Sequence, residues 1–263
     1  MRRIAQLFRT PGKKLVPFIT AGYPTLDSTV PLVLMAEEAG AHMVELGMPF
    51  SDPLADGPVI QATSQQALEN GVTIPWILET VAKIRKQTEL PLVLMGYINP
   101  LLHMGLETFL DHASRAGVDG LIIPDLPPDE GRNFYAQARA RGLSTIYLVA
   151  PNTSGERIHT LGDSAEDLLY AVSILGVTGT SVQARENLLQ YLARVRASTA
   201  VPFMVGFGIA TPEDVRLVGA LADGVVIGSA LLTHIKEAGE PVSAAKEYLQ
   251  TLVAALANAE AAP

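Results

Sequence analysis

The sequence contains no cysteine, which excludes disulfides, thiol nucleophiles and cysteine-ligated zinc. Charged residues make up only 17%, and the net charge of −8 disfavours nucleic acids and anionic membranes as partners. No stretch approaches the roughly 20 consecutive apolar residues that a membrane helix needs. Residues 1–6 carry charge but lack the apolar segment of a signal peptide, so we expect a cytoplasmic protein.

Hydrophobic residues are abundant, at 48% of the 263 residues, so the chain can bury a large core. The length is long for one ordinary domain and short for two. A single α/β barrel of roughly 250 residues fits it well. We therefore expect residues 1–263 to form one catalytic domain.

Short apolar runs recur along the chain, and each is followed by a loop and a helical pattern. The runs are rich in apolar and β-branched residues without clear alternation, which is typical of parallel strands buried on both faces. The predicted strands are Leu15–Thr20, Met43–Gly47, Leu90–Met95, Gly120–Pro124, Thr145–Ala150, Leu168–Ser173, Val201–Gly206 and Gly224–Gly228.

The segments between these strands show helical periodicity, and several helices are predicted to end at a glycine. The clearer helices are Val30–Ala39, Ile74–Gln87, Leu106–Ala116, Asp129–Arg141 and Pro212–Leu221. Gly40, Gly117 and Gly142 suit helix C-caps. Eight strand–helix units predict a closed (βα)8 TIM barrel with an extra N-terminal helix; a doubly wound open sheet is the less favoured alternative.

Two loops are longer than such a barrel requires. One spans residues 48–71 after the second strand, and the other spans residues 175–186 after the sixth. Both follow the carboxyl ends of strands, which form the catalytic face of these barrels. Long loops there are usually lids or interaction surfaces.

Glycine-containing segments follow three neighbouring strands and predict a phosphate site. They are Val205–Ile209, Val226–Ala230 and Gly176–Gly179. Glycines let the backbone approach an anion closely, and the N–H groups of a helix N-terminus point at it. Phosphate sites of this architecture often lie beside the seventh and eighth strands. Each glycine alone would suit an ordinary turn.

Two carboxylates are candidates for acid–base chemistry. Glu45 lies inside the second strand, so either Glu45 or its neighbours Val44 and Leu46 point into the barrel. An inward carboxylate would be desolvated, and its raised pKa would suit proton transfer near neutral pH. Asp56 lies in the following loop. The structural alternatives are an ion pair at the barrel rim for Glu45 and a turn residue for Asp56.

Other catalytic groups are missing from the positions where such chemistry would need them. No lysine stands at the carboxyl end of a predicted strand, since Lys13 and Lys14 precede the first one. A Schiff-base aldolase would therefore lack its nucleophile. The histidines are scattered without metal-ligand spacing, so we expect no metal site. Carbon–carbon cleavage in this barrel would have to use acid–base catalysis alone.

Five motifs together resemble the tryptophan synthase α subunit family, and the resemblance spans essentially the whole chain. They are PFITAGYP at 17–24, ELGMPFSDPLADGP at 45–58, GYINP at 96–100, PDLPPDE at 124–130 and GVTG at 176–179. The second of them is the most specific. The resemblance implies a TIM-barrel lyase that splits indole-3-glycerol phosphate into indole and glyceraldehyde 3-phosphate.

The resemblance also implies roles for individual residues. Glu45 would be the acid–base catalyst, and Asp56 would accept the indole N–H. The phosphate would be held by Gly179, Gly208, Gly228 and Ser229. The apolar walls around the indole would include Phe18, Ile60 and Phe207, and Tyr97 and Tyr170 would be pocket residues beneath the catalytic carboxylates. Thr178 would link a closing lid to Asp56, and the partner-contacting residues would be Asp52, Pro53, Asn99 and Asp125.

The family works as an α2β2 complex in which indole passes to a β subunit that carries pyridoxal phosphate, so no cofactor is expected on this chain. Three alternatives stay open. The chain could be a stand-alone indole-releasing lyase, or a phosphosugar isomerase or indole-glycerol-phosphate synthase, although the synthase would need a strand-end lysine. It could also be a regulatory subunit that binds the phosphate ligand without turning it over.

Overall fold

A computed structural model describes residues 2–165, 167–173, 182–206, 208–238 and 240–260. The strands are β1 (Lys14–Thr20), β2 (Val44–Gly47), β3 (Leu92–Met95), β4 (Gly120–Ile122), β5 (Ser144–Thr145), β6 (Tyr147–Val149), β7 (Leu169–Val172), β8 (Phe203–Gly206) and β9 (Gly224–Ile227). The helices are α1 (Arg3–Arg9), a 3-10 turn (Leu26–Ser28), α2 (Thr29–Glu38), α3 (Pro58–Glu69), α4 (Ile74–Arg85), α5 (Ile98–Met104), α6 (Leu106–Ala116), α7 (Arg132–Ala140), α8 (Gly155–Ala165), α9 (Val182–Ser198), α10 (Pro212–Gly219), α11 (Ser229–Glu237) and α12 (Pro241–Glu260). None of these helices is long and apolar enough to cross a membrane.

The strands form one parallel sheet in the order β5-β4-β3-β2-β1-β9-β8-β7-β6. Its two end strands, β5 and β6, are separated by Ile146 alone, so the sheet closes into a ring. The Ile146 N–H donates a hydrogen bond to the Leu121 carbonyl at 3.1 Å, so β4 stays bonded to the chain at the interruption between β5 and β6. The pair β5 and β6 is the predicted fifth strand, and the predicted TIM barrel with its N-terminal helix is confirmed.

The long loop after β2 is half helical. Residues 48–57 are irregular, but α3 follows at once with Pro58 in its first turn. Its buried positions Ile60, Thr63, Ser64 and Ala67 are spaced as one face of a helix. Residues 174–181 of the second long loop lie outside the described residues, and α9 begins at Val182.

Helix ends follow the sequence signals in most places. Gly40, Gly117 and Gly142 take positive φ angles of 95°, 90° and 82°, as expected for glycine C-caps. Helix α7 begins at Arg132, later than predicted, because the preceding residues form a separate turn in which the Pro127 carbonyl accepts the Glu130 and Gly131 N–H groups. The short helix α5 was not predicted from the sequence.

Aspartates that precede strands form ion pairs at the amino-terminal rim of the barrel. Asp119, just before β4, accepts hydrogen bonds from Arg3 at 3.0 Å, Arg85 at 2.8 Å and the Leu92 N–H at 2.8 Å. Asp223, before β9, likewise accepts from Arg196 at 2.7 Å and from a strand N–H. Each of these carboxylates therefore joins a strand to a helix, which fixes the barrel below the catalytic face.

Candidate active site

The carboxyl ends of the strands surround a cavity of about 500 Å³. Its polar side chains belong to Glu45, Asp56, Tyr170, Ser173, Ser229 and Thr233. Its apolar wall includes Phe18, Ile60, Met95, Ile209 and Val226, and Gly57, Gly208 and Gly228 also line it. The cavity therefore has an apolar body with carboxylates toward β2 and glycine-rich backbone toward β8 and β9.

Glu45 is the inward-facing residue of β2. It pairs in register with Phe18 of β1, and both side chains line the cavity. Its exposure is 0%, and neither carboxylate oxygen has a hydrogen-bond partner within the described part of the chain. Burial, followed by the nearby charge of Asp56, raises the pKa of Glu45 to about 8. Glu45 is thus protonated at neutral pH and can donate a proton into the cavity. The rim ion pair considered from sequence does not form among the described residues.

Asp56 approaches the cavity from the loop after β2. Its Oδ2 accepts a hydrogen bond from the Tyr97 hydroxyl at 3.0 Å, and the Tyr97 oxygen accepts the Ala55 N–H at 2.9 Å. Burial raises the pKa of Asp56, whereas the bond from Tyr97 lowers it. The environments of Glu45 and Asp56 thus differ, since among the residues that the structure describes only Asp56 has a donor that stabilises its anion. Such a pair suits one proton donor and one anionic acceptor.

Tyr97 and Tyr170 occupy different positions around these carboxylates. Tyr97 is absent from the cavity lining and reaches the site through Asp56, so its predicted substrate contact stays a prediction. Tyr170, in β7, lines the cavity and is buried. Desolvation and then the charge of Glu45 raise the pKa of Tyr170 well above its ordinary value, so its hydroxyl stays neutral.

Two strand-end glycines make room for the aromatic side chains of the site. A Cβ on Gly206 would lie 1.9 Å from the Tyr170 hydroxyl oxygen, and one on Gly47 would lie 2.4 Å from the Phe18 ring. Neither distance is sterically possible. From the sequence, Gly206 belonged only to a predicted phosphate-binding segment and Gly47 had no assigned function, although a glycine at the end of a buried strand is a usable signal of close packing.

The glycine-rich side of the cavity suits an anion. Gly208 has φ of 72°, and Gly228 directly precedes α11, whose first residue is Ser229. No described side chain caps α11, so its first-turn N–H groups can point at a bound anion. These three predicted phosphate residues all line the cavity. The predictions for Thr178, Gly179 and Phe207 fall outside the described residues.

The predicted partner contacts lie in the segments that follow β2, β3 and β4. Asp52, Asn99 and Asp125 are exposed, and Pro53 is half-buried. The Asp125 carboxylate also accepts the Ile98 N–H at 3.0 Å, which fixes the start of α5. The most exposed large apolar side chain among the described residues, Leu54 at 92%, belongs to the same loop as Asp52 and Pro53.

The described residues contain no cluster of three metal-ligating side chains.

The family of the chain follows from comparisons with known proteins. The family model described as tryptophan synthase alpha chain matches residues 4–261. A tryptophan synthase alpha chain from Petrotoga mobilis is 44% identical over 237 residues, which cover 90% of this chain and 92% of that protein.

Solved structures give the same result. The crystal structure of tryptophan synthase subunit alpha from Legionella pneumophila is similar with a TM-score of 0.90 at 38% identity, covering 98% of this chain and 99% of that one. A Pyrococcus furiosus chain, from a study of mutual activation of the tryptophan synthase a2b2 complex, has a TM-score of 0.85 at 37% identity and covers 92% and 98%. The chain belongs to the tryptophan synthase alpha chain family.

Proposed function

We propose that this lyase cleaves indole-3-glycerol phosphate to indole and glyceraldehyde 3-phosphate with Glu45 as its acid–base catalyst. The observation that carries the assignment is a fully buried carboxylate that faces the cavity without a hydrogen-bond partner among the described residues. A carboxylic acid in that environment is a proton donor at neutral pH.

The chemistry needs a proton at C3 of the indole ring, because indole leaves poorly as a carbanion. Protonated Glu45 donates that proton, and the ring becomes an indolenine-like cation that accepts the electrons of the breaking carbon–carbon bond. The Glu45 carboxylate then takes the proton of the adjacent glycerol hydroxyl as that carbon becomes the aldehyde. The proton lost in the first step is regained in the second, so Glu45 ends the cycle protonated.

Asp56 acts in the same step as a hydrogen-bond acceptor, whereas Glu45 acts as a proton donor. Its anion accepts the indole N–H and stabilises the positive charge that develops on the nitrogen. Tyr97 supports the anion, since its hydroxyl donates to Asp56 at 3.0 Å. Phe18 and Ile60 supply apolar walls for the indole, to which Phe207 is expected to contribute.

The phosphate lies at the glycine-rich side in this proposal. The backbone at Gly208 and Gly228 and the start of α11 at Ser229 hold it, together with Gly179. Thr178 links the loop after β7 to Asp56 when substrate is bound, and closing that loop excludes water.

The partner is a tryptophan synthase β subunit in an α2β2 complex, and the indole that this chain releases passes to it. Pyridoxal phosphate belongs to that β subunit, because the cleavage itself moves only protons and needs no cofactor on this chain. The exposed Leu54 supports a contact surface that includes Asp52 and Pro53, with Asn99 and Asp125 at its edge.

The test is indole release by wild type and Glu45→Gln, with and without the β subunit. We expect weak activity that rises with the β subunit and falls by about 10²- to 10⁴-fold in the variant, since a general acid contributes that much. The matched control is Glu79→Gln, the same change on the exposed face of α4, which should behave as wild type.

Substrate binding is measured alongside by calorimetry. If Glu45→Gln binds substrate and still releases indole at the wild-type rate, Glu45 is not the catalyst. High activity that ignores the β subunit would favour a stand-alone lyase. Substrate binding without any indole release by wild type would favour a regulatory subunit.

A further inference from the structure

Ala210 is held from outside the cavity by both of its backbone polar atoms. It follows β8 and lines the glycine-rich side of the cavity. Its N–H donates to Asp214 Oδ2 at 3.2 Å, and its carbonyl accepts a hydrogen bond from the Tyr248 hydroxyl at 2.6 Å. The position of this wall is therefore set by two side chains that do not line the cavity.

Asp214 also forms hydrogen bonds at the start of its own helix. It accepts the Thr211 N–H at 3.0 Å, while the Thr211 hydroxyl oxygen accepts the Asp214 N–H at 3.2 Å, which completes a capping box on α10. These N–H groups are consequently committed within the protein. Within the described part of the chain, the N–H groups available to an anion in the cavity are those around Gly208 and at the uncapped start of α11.

Tyr248 connects the loop after β8 with α11. It lies on α12, which packs against both α10 and α11. Its hydroxyl holds Ala210, while its ring stacks on His234 of α11 with centroids 3.9 Å apart and planes 13° apart. One side chain thus touches the loop after β8 and the helix whose amino end faces the cavity.

We propose that Tyr248 is a positioning residue that fixes the spacing between the loop at Ala210 and the start of α11, and thereby sets the affinity for the phosphate group. The identity of the phosphorylated substrate rests on the proposed function. Tyr248 does not touch the anion. It acts because several N–H donors from two segments must converge on one phosphate, and their hydrogen bonds weaken steeply when the segments drift.

The test compares wild type, Tyr248→Phe and the control Tyr191→Phe as full-length chains. Tyr248→Phe keeps the ring that stacks on His234 and removes only the hydroxyl. Tyr191→Phe removes a similar hydroxyl, which donates to the Val149 carbonyl at 2.7 Å, and neither Tyr191 nor Val149 lines the cavity. Three quantities are measured: Kd for glycerol 3-phosphate by calorimetry, kcat and KM for indole-3-glycerol phosphate with the β subunit, and thermal unfolding.

We expect Tyr248→Phe to raise Kd and KM by about threefold to tenfold, the effect of one lost hydrogen bond, with kcat within about twofold of wild type. Tyr191→Phe should leave Kd and KM unchanged even if it unfolds earlier. Unchanged Kd and KM in Tyr248→Phe, or an equal rise in Tyr191→Phe, would overturn the positioning role. A wild type that binds glycerol 3-phosphate without cleaving the substrate contradicts the proposed function alone, since the Kd comparison still decides the role of Tyr248. A wild type that does neither contradicts both.

Discussion

The two ends of this barrel treat buried carboxylates in opposite ways. At the amino-terminal rim, Asp119 is buried, and it accepts hydrogen bonds from Arg3, Arg85 and a strand N–H. At the carboxyl end, Glu45 is also buried, yet no described residue bonds to it. Full pairing makes a buried carboxylate a structural element, whereas an unpaired one is stable only when protonated.

Arg85 shows how complete the pairing at the rim is. Its guanidinium donates to the carbonyls of Thr88, Leu90 and Gly117 as well as to Asp119, so all five of its N–H groups are used. No described residue forms a comparable set of hydrogen bonds with Glu45. The contrast agrees with the general pattern of such barrels, in which residues at the amino-terminal face stabilise the fold and residues at the carboxyl-terminal face form the active site.

Removing the paired carboxylate should have the largest effect on stability. We expect Asp119→Ala to lower the free energy of unfolding by about 3–5 kcal/mol, because it leaves Arg85 buried without its anion. Urea unfolding measures this loss. Asp129→Ala is the control, since Asp129 pairs with Arg157 and Arg132 at the surface and should change stability little. Equal losses in the two variants would mean that burial of the pair at the rim contributes nothing special.

The unpaired carboxylate should make stability depend on pH. Glu45 has a folded pKa of about 8, above its ordinary value of 4.5. The stability that protonated Glu45 contributes is therefore complete below pH 4.5. It is lost as the pH rises toward 8, because Glu45 ionises at a lower pH in the unfolded chain than in the folded one. Between pH 5 and pH 8, Glu45→Gln should gain about 2–4 kcal/mol of unfolding free energy relative to wild type. Urea unfolding at each pH checks this, and parallel curves for the two proteins would show that Glu45 is not desolvated.

Sequence predicted one side of this comparison better than the other. Strands buried on both faces read as apolar runs, so Glu45 was conspicuous inside β2, and the glycines after β8 and β9 marked the anion side. The alternation of a strand could not decide whether Glu45 or Val44 faced inward, since both choices obey the same period. In the structure Glu45 is in register with Phe18 of β1, and both side chains line the cavity.

The pairing at the rim was not predictable in the same way. A single aspartate before a strand reads as a turn residue, and the Arg3 that binds Asp119 is 116 positions away. Tyr97 was predicted as a pocket residue beneath the carboxylates, but its hydrogen bond to Asp56 was not predicted, because 41 residues separate the two. Local patterns predict elements and strand-end chemistry, whereas hydrogen bonds between distant segments depend on how the ring closes.

Tyr97 offers the finest test of the comparison, because it gives Asp56 one of the bonds that Glu45 lacks. Tyr97→Phe removes the donor that lowers the pKa of Asp56, so this pKa should rise further. The acidic limb of the plot of kcat/KM against pH should move to higher pH. At pH values on the acidic side of this limb, kcat/KM should fall by about tenfold, the value of one hydrogen bond to a charged group. The alkaline limb, which reports deprotonation of Glu45, should stay near pH 8. An unchanged acidic limb would show that Tyr97 only supports the Ala55 backbone, and a shift of both limbs would mean that the two carboxylates titrate as one coupled pair.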